Sequence, residues 1–369
     1  MERDTLFAPR LPDWRQPPAT EWRDDSSLYY EGETYRERDT RVFAYFGLPQ
    51  GHAGQTPAMV LVHGGGGTAF PQWVRMWNER GYAALAMDLS GRGPDGERLP
   101  DGGPDQGHVE KFHAMDEGLT EMWSYHAVAA VARGLSLLAA QPTVDASRVG
   151  VTGISWGGYV TCMVAGIDER IAAAIPVYGC GFLHHNSCWL EEFERLSPDH
   201  RDAWVRHFDP SSHLPNAAMP MLWVNGTNDF AYPPDSYQKS YRAAPGPTAL
   251  CIKVGMDHGH EPGWAPAEIG LFADQHLLGG AALPTIGPTE ICDGRASARY
   301  SAERPITSAG LHYAIDRGVW HERAWTSAPA EAMDGVAHAP LPAERPVVAY
   351  LTVEYDRGGT VSAEHVLVS

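Results

Sequence analysis

The chain has 369 residues, 43% apolar, 10% aromatic and 20% charged, which excludes the disordered and collagen-like classes and leaves room for two cores. Its formal net charge of −18 lacks the cationic footprint that a phosphate backbone or an anionic lipid surface requires, which argues against nucleic acid and membrane as partners. No apolar run approaches the roughly 20 residues of a membrane helix, and Met1-Glu2-Arg3-Asp4 lacks a secretory apolar stretch, so a cytoplasmic location is the default and an exported form stays open.

Residues 1–30 are rich in Pro, Arg, Asp and Trp without periodicity and read as an N-terminal arm on the surface. From Tyr35 to Leu48 the chain looks extended, with Val42, Ala44 and Phe46 alternating against Phe43 and Tyr45. Six unalternating apolar runs follow: 58–62, 83–87, 149–152, 171–177, 221–224 and 249–254. Such runs suit strands buried on both faces of a parallel sheet. Between them, Phe70, Trp73, Val74 and Trp77 share one helix face, as do Val128, Val131, Ala132 and Leu135 in a helix expected over 117–140. Alternating strands and helices predict the α/β class, an open, doubly wound, mostly parallel sheet with its chemistry at the C-terminal strand ends. That domain is expected over 31–280, with 181–217 inserted as a cap over the site. Beyond it, short β-like pieces such as Leu311–Ile315, Val347–Leu351 and Val361–Val368, with the turn Asp356-Arg357-Gly358-Gly359, read as a small β-sandwich over 285–369.

Gly153-Ile154-Ser155-Trp156-Gly157 directly follows the strand run 149–152 and precedes a helical stretch. A nucleophile on a sharp strand-to-helix turn needs this order and these small neighbours, which makes Ser155 the candidate nucleophile. His63-Gly64-Gly65-Gly66-Gly67 follows the first buried strand. A glycine-rich loop there can offer one backbone N–H to a tetrahedral oxygen while Trp156 offers another. It is not a phosphate loop, because no Gly-Lys-Ser/Thr follows. Asp229 leaves the end of the 221–224 strand and is the candidate acid, whereas Asp235 reads as a helix cap. The base follows the last strand. His258, nearer that strand and followed by glycine, is the first candidate and His260 the alternative. His63, and His184 and His185 in the insertion, are candidate substrate contacts, the last two also readable as solvated loop histidines. Asp88 reads as structural. The five scattered cysteines, Cys162, Cys180, Cys188, Cys251 and Cys292, look like reduced thiols, and neither Cys-x-x-Cys nor His-x-x-x-His spacing marks a metal site.

The order Ser…Asp…His is that of the α/β-hydrolases. Residues 40–275 resemble the dienelactone hydrolase and acetylxylan-esterase-like branch of that superfamily, related to prolyl oligopeptidases. The resemblance is closest to bacterial serine esterases with a His-Gly-Gly-Gly-Gly loop and a C-terminal β-domain. It is carried by His63–Thr68, Trp77–Asp88, Asp145–Val149, Gly153–Gly158, Gly226–Asp229 and Met256–His260. It implies carboxylic-ester hydrolysis through an acyl-enzyme, without metal or organic cofactor, on a small-molecule or carbohydrate ester. It places Ser155, Asp229 and His258 in the triad, with Gly65 or Gly66 and Trp156 as oxyanion donors. Dienelactone hydrolases proper carry cysteine where this chain has Ser155, so lactone specificity does not transfer. Two rival expectations remain: a serine peptidase related to prolyl oligopeptidases, and a carbohydrate- or protein-binding protein on an inactive hydrolase scaffold.

Overall fold

The computed structural model describes residues 6–51 and 54–369. Nine strands form one sheet: β1 (Thr20–Trp22), β2 (Ser27–Glu31), β3 (Arg41–Gly47), β4 (Thr56–Val62), β5 (Ala83–Met87), β6 (Val144–Ile154), β7 (Ala173–Val177), β8 (Met221–Gly226) and β9 (Thr248–Lys253). Their order is β1-β2-β3-β5-β4-β6-β7-β8-β9. The six strands from β5 to β9 run parallel, and β1 to β3 are antiparallel. β4, β5 and β7 are buried at every position, which is why they read as unbroken apolar runs rather than alternations. The winding reverses at β4, whose neighbours β5 and β6 come after it in the chain on opposite sides. In an open α/β sheet such a switch point leaves a crevice above the carboxyl ends of the strands.

The helices of this layer are α1 (Leu11–Trp14), α2 (Pro71–Glu79), α3 (Trp123–Ala139), α4 (Trp156–Ile167), α5 (Leu190–Arg195), α6 (Pro198–Phe208), α7 (Pro234–Ala243), α8 (His260–Trp264) and α9 (Ala267–Ala273). α3 starts six residues later than its periodicity predicts. Gly118 at φ 130° separates two 3-10 turns, 115–117 and 119–121, ahead of it, and no α-helix runs through that backbone. Likewise β3 starts at Arg41 rather than Tyr35, because Tyr35 folds back to bridge Arg38 in a turn.

The N-terminal segment is not the surface arm expected over residues 1–30. Residues 1–5 lie outside the described ones. In the rest, Phe7 and Trp14 are fully buried, and β1 and β2 extend the sheet. Phe7, Leu11 and Trp14 recur at i, i+4, i+7, a one-turn amphipathic signal too short to stand out. Trp14 lies against Tyr125 of α3, so α3 is covered on both sides and almost wholly buried. The joint is polar. Glu33, 7% exposed, accepts from Trp14 Nε1 (2.9 Å), Tyr125 Oη (3.0 Å), Arg133 Nη2 (2.6 Å) and Arg10 Nη2 (3.1 Å). Burial alone would raise the Glu33 pKa, but the donors from Arg133 and Trp14 outweigh it and hold it below the ordinary value.

Nine antiparallel strands form the C-terminal domain: β10 (Thr285–Ile286), β11 (Glu290–Cys292), β12 (Arg295–Ser301), β13 (Ile306–Ile315), β14 (Thr326–Met333), β15 (Val336–Pro340), β16 (Val347–Tyr355), β17 (Thr360–Ser362) and β18 (Val366–Val368). β14 passes between two layers: its first half pairs with β13 and its last three residues pair with β15. The layers close over Ala296, Ala298, Leu311, Ala339, Ala349, Leu351 and Ala363, a thin core of mostly small residues. The outer side of the domain docks on the α/β layer. Ser362 Oγ accepts from Ile252 N (2.9 Å), Tyr350 Oη donates to Ile252 O (3.2 Å), and Arg242 pairs with Glu364. Val353, Tyr355 and Val361 belong to the core of the larger domain.

Glu33→Ala is expected to lower unfolding free energy by about 3–5 kcal/mol in urea titrations, since it leaves the buried Arg133 guanidinium and the Trp14 and Tyr125 donors uncompensated. With a depressed folded-state pKa, the wild-type contribution is complete above the unfolded carboxylate value of roughly 4.3. It is lost as pH falls below that, so the wild-type advantage over Glu33→Ala should shrink between about pH 5 and pH 3.

Candidate active site

Ser155 sits at the switch-point crevice, between the ends of β6 and α4, with φ 58° and ψ −115°. A non-glycine residue at positive φ is strained by roughly 1–3 kcal/mol and persists only where its surroundings over-determine it. Here its N–H donates to Val177 O and its carbonyl accepts from Tyr159 N, both at 2.9 Å. The turn closes against β4 so tightly that a Cβ on Gly157 would lie 2.0 Å from Val62 O, and one on Gly153 2.2 Å from Gly157 O. These contacts explain the Gly-x-Ser-x-Gly spacing sterically.

Asp229 follows β8 on the Thr227-Asn228-Asp229 turn, and His258 follows β9. His258 Nε2 accepts from Ser155 Oγ at 2.9 Å, and His258 Nδ1 donates to Asp229 Oδ2 at 2.6 Å. The Asp229 side chain is fully buried, that of His258 15% exposed. Asp229 Oδ1 is held by Ala231 N (2.9 Å) and Tyr232 N (2.7 Å), which leaves Oδ2 to the imidazole. The Tyr178 ring stacks on His258 at 4.4 Å, and Tyr178 Oη donates to Asp257 O at 2.6 Å. The hydrogen-bonded line Ser155–His258–Asp229 is the arrangement that allows an imidazole to take the serine proton while a carboxylate fixes its tautomer.

The alternative base, His260, is placed elsewhere. Its Nε2 accepts from Gly64 N at 3.0 Å, and burial, with His63 and His258 nearby, pushes its pKa down to about 4. His63 is 1% exposed. Its Nδ1 donates to Gly64 O (2.7 Å) and its Nε2 accepts from Leu89 N (2.8 Å). Burial pushes its pKa to about 4, so it is a neutral pin of the glycine loop and not the substrate contact expected. The two histidines brace that loop from below: a Cβ on Gly67 would lie 2.6 Å from His260 Nε2 and 3.0 Å from His63 Nδ1. Gly64 N is committed to His260, and the next residue of the loop, Gly65, packs against Trp156. A Cβ on Gly65 would lie 3.2 Å from Trp156 Cδ1. Gly66, at φ 68°, has open space around it. Trp156 N, as the first residue of α4, has no intrahelical acceptor.

Residues 181–217 fold over this edge of the sheet. Phe182 N and Leu183 N donate to Asp209, Trp204 Nε1 donates to Lys111 O (2.8 Å), and Glu192 takes His108 and His113, each at 2.8 Å. The Trp189 ring approaches Trp156 at 4.5 Å and Tyr232 at 5.1 Å. His184 points to Asp209 (3.7 Å) and His185 to Lys239 Nζ (3.2 Å), so the contacts they make are with the cap and α7, not with the triad. Asp235 does not cap its helix. It lies in the first turn of α7, where it accepts from Asn186 Nδ2 at 3.0 Å. Asp88 accepts from Ser90 N and Arg92 N, a turn-holding role. Lys111, buried, donates from Nζ to Gln106 O at 2.8 Å and lies 4.4 Å from the Trp156 ring centroid. Burial lowers its pKa to about 8.

The C-terminal domain reaches the acid turn. Asn228 Nδ2 donates to His321 O (3.0 Å) and Arg323 O (2.8 Å), while Asn228 Oδ1 accepts from Thr227 Oγ1 (2.8 Å). Neither Tyr178, Lys111 nor Asn228 carries a local motif; each matters through a partner distant in the chain. All five cysteines are free thiols. Among the described residues no group of three or more His, Cys, Asp or Glu side chains could hold a metal ion, and no helix is long and apolar enough to cross a membrane.

A family model described as acetyl xylan esterase (AXE1) matches residues 25–212, the stretch carrying the glycine loop, the elbow and most of the 181–217 insertion. Among solved structures, the acetyl xylan esterase from Paenibacillus sp. R4 superposes with a TM-score of 0.61 at 22% identity, over 75% of this chain and 95% of that one. Acetyl xylan esterase 1 from Thermoanaerobacterium sp. JW/SL YS485 gives 0.56 at 18% identity, over 73% and 93%. The acylaminoacyl peptidase of Pyrococcus horikoshii gives 0.50 at 18% identity, over 63% and 37%. At these identities the likeness is one of fold: an α/β-hydrolase. No curated protein matches the chain in sequence.

His258→Ala is expected to bring hydrolysis of an activated ester to background. His260→Ala, which removes the acceptor of Gly64 N and the ring packed on Phe70, should leave a measurable rate about 10- to 100-fold below wild type, on the order of one lost buried hydrogen bond. Steady-state assays of the two variants side by side check this ranking.

Proposed function

The chain belongs to the acetyl xylan esterase family, and on that premise we propose that it is a serine esterase that removes acetyl groups from carbohydrates through an acyl-enzyme on Ser155. The observation that carries this reading is the hydrogen-bonded line from Ser155 Oγ through His258 to a buried Asp229 (2.9 and 2.6 Å), on a backbone turn held at positive φ. Ser155 Oγ attacks the ester carbonyl as its proton passes to His258 Nε2. Asp229 stabilises the imidazolium that forms, without taking the proton itself. Negative charge collects on the former carbonyl oxygen, for which Trp156 N and Gly65 N are the available donors. Each such donor is worth roughly 2.7–4 kcal/mol of barrier. The imidazolium then protonates the leaving alcohol, and the C–O bond breaks to leave acetyl on Ser155. Water, deprotonated by the same imidazole, repeats the sequence and releases acetate.

The acyl group is proposed to be short because bulky rings crowd the neighbourhood of the nucleophile: Trp189 packs on Trp156, the residue that follows Ser155, and on Tyr232. The wild-type protein should hydrolyse 4-nitrophenyl acetate in preference to butyrate and octanoate esters and release acetate from acetylated xylo-oligosaccharides. Ser155→Ala should be at background on all of them. Cleavage of aminoacyl-prolyl anilides with inert acetyl esters would overturn the esterase reading and favour a peptidase.

A further inference from the structure

One polar group at the nucleophile has no part in the scheme above. Tyr232 is fully buried. Its hydroxyl lies beside the Ser155 side chain, which acts on it as a weak hydrogen-bonding neighbour, yet no atom among the described residues meets it in full hydrogen-bond geometry. An unsatisfied buried hydroxyl costs roughly 1–3 kcal/mol, so phenylalanine would be the more stable choice at this position. The ring is also held with care. Tyr232 N donates to Asp229 Oδ1 (2.7 Å), and Tyr232 O accepts from Asn225 Nδ2 (3.0 Å). The ring plane lies within 9° of the His258 ring at 6.3 Å, and Trp189 packs against it at 5.1 Å. Asp229 thus positions both the imidazole, through Oδ2, and the Tyr232 backbone, through Oδ1. A buried phenol held beside the reacting serine, with no full hydrogen bond to an acceptor among the described residues, can donate to one that forms there.

We propose that the Tyr232 hydroxyl donates a third hydrogen bond to the tetrahedral intermediate, beside the N–H groups of Gly65 and Trp156, and so is a catalytic residue. The inference rests on Ser155 as the nucleophile. No proton is transferred: burial raises the Tyr232 pKa well above its ordinary value, so the phenol stays protonated. When the ester adds, the acceptor that the free protein lacks appears at the reacting centre. The interaction is therefore stronger in the transition state than in the ground state, as catalysis requires.

The test is Tyr232→Phe in the full chain, compared with wild type and Ser155→Ala in three assays. These are steady-state hydrolysis of 4-nitrophenyl acetate, the rate of Ser155 labelling by a fluorophosphonate (read by intact mass), and the thermal midpoint. A third donor predicts kcat reduced about 10- to 1,000-fold with KM little changed. It also predicts labelling slowed in parallel, because the phosphonyl adduct presents the same tetrahedral oxygens, and a midpoint equal to or above wild type. A merely structural tyrosine would instead lower the midpoint, and that result overturns the proposal, as does a kcat within twofold of wild type. If Ser155→Ala keeps its activity or its label, the nucleophile assignment itself fails and this inference falls with it. If Ser155→Ala is inert and Tyr232→Phe fully active, only the role of Tyr232 is lost.

Discussion

The positive φ of Ser155 is the constraint around which the site is arranged. A serine at φ 58° points its Oγ out of a strand-to-helix turn and away from the sheet, at a cost of roughly 1–3 kcal/mol that neighbouring structure must offset. The neighbours do so by crowding: β4 approaches until nothing larger than glycine fits at 157, and β7 supplies the carbonyl that holds Ser155 N. The same closeness brings the loop after β4 alongside the start of α4. The two backbone donors proposed for the oxyanion, Gly65 N and Trp156 N, belong to that loop and to that helix start. The switch in winding at β4 makes room for them.

Three histidines lie around this turn, and hydrogen-bond partners rather than residue type separate their roles. His63 is closed in by one acceptor and one donor, His260 spends Nε2 on Gly64 N, and only His258 has a buried carboxylate on one nitrogen and a hydroxyl on the other. With their pKa values pushed to about 4, the two braced rings stay neutral beside the glycine loop, and Lys111 packs on the Trp156 ring. The acid turn is held from two directions. Inside the larger domain, Asp229 binds its own backbone at residues 231 and 232. Outside it, Asn228 is clamped to carbonyls of the C-terminal domain. That domain thus contributes to the geometry of the turn bearing Asp229 while none of its side chains enters the proposed triad.

What the sequence disclosed was short in range. Apolar runs located the parallel strands, because strands buried on both faces have no other way to read. Glycine spacing located the elbow, because its sterics are local. Chain order singled out Asp229 as the proposed acid and left two residues for the proposed base, and a contact spanning 29 residues, to Asp229, is what favours His258 over His260. The N-terminal segment was misread because its apolar pattern lasts one turn and its anchor, Glu33, gathers donors from positions 10, 14, 125 and 133. His63 was misread because its position at the head of the loop looks exposed until β4 and β5 are seen to enclose it. Tyr232 and Lys111 had no motif at all: a buried hydroxyl or ammonium is defined by what surrounds it, and those surroundings come from the cap and from distant loops.

The central claim is that acyl groups pass through Ser155. Rapid-quench kinetics with 4-nitrophenyl acetate, followed by peptide mapping of the quenched protein, tests it most directly. The account predicts a burst of one nitrophenolate per chain and an acetyl group on the peptide bearing Ser155, removed on the timescale of turnover. Steady hydrolysis with no burst and no adduct, or an adduct on a different residue, would contradict it.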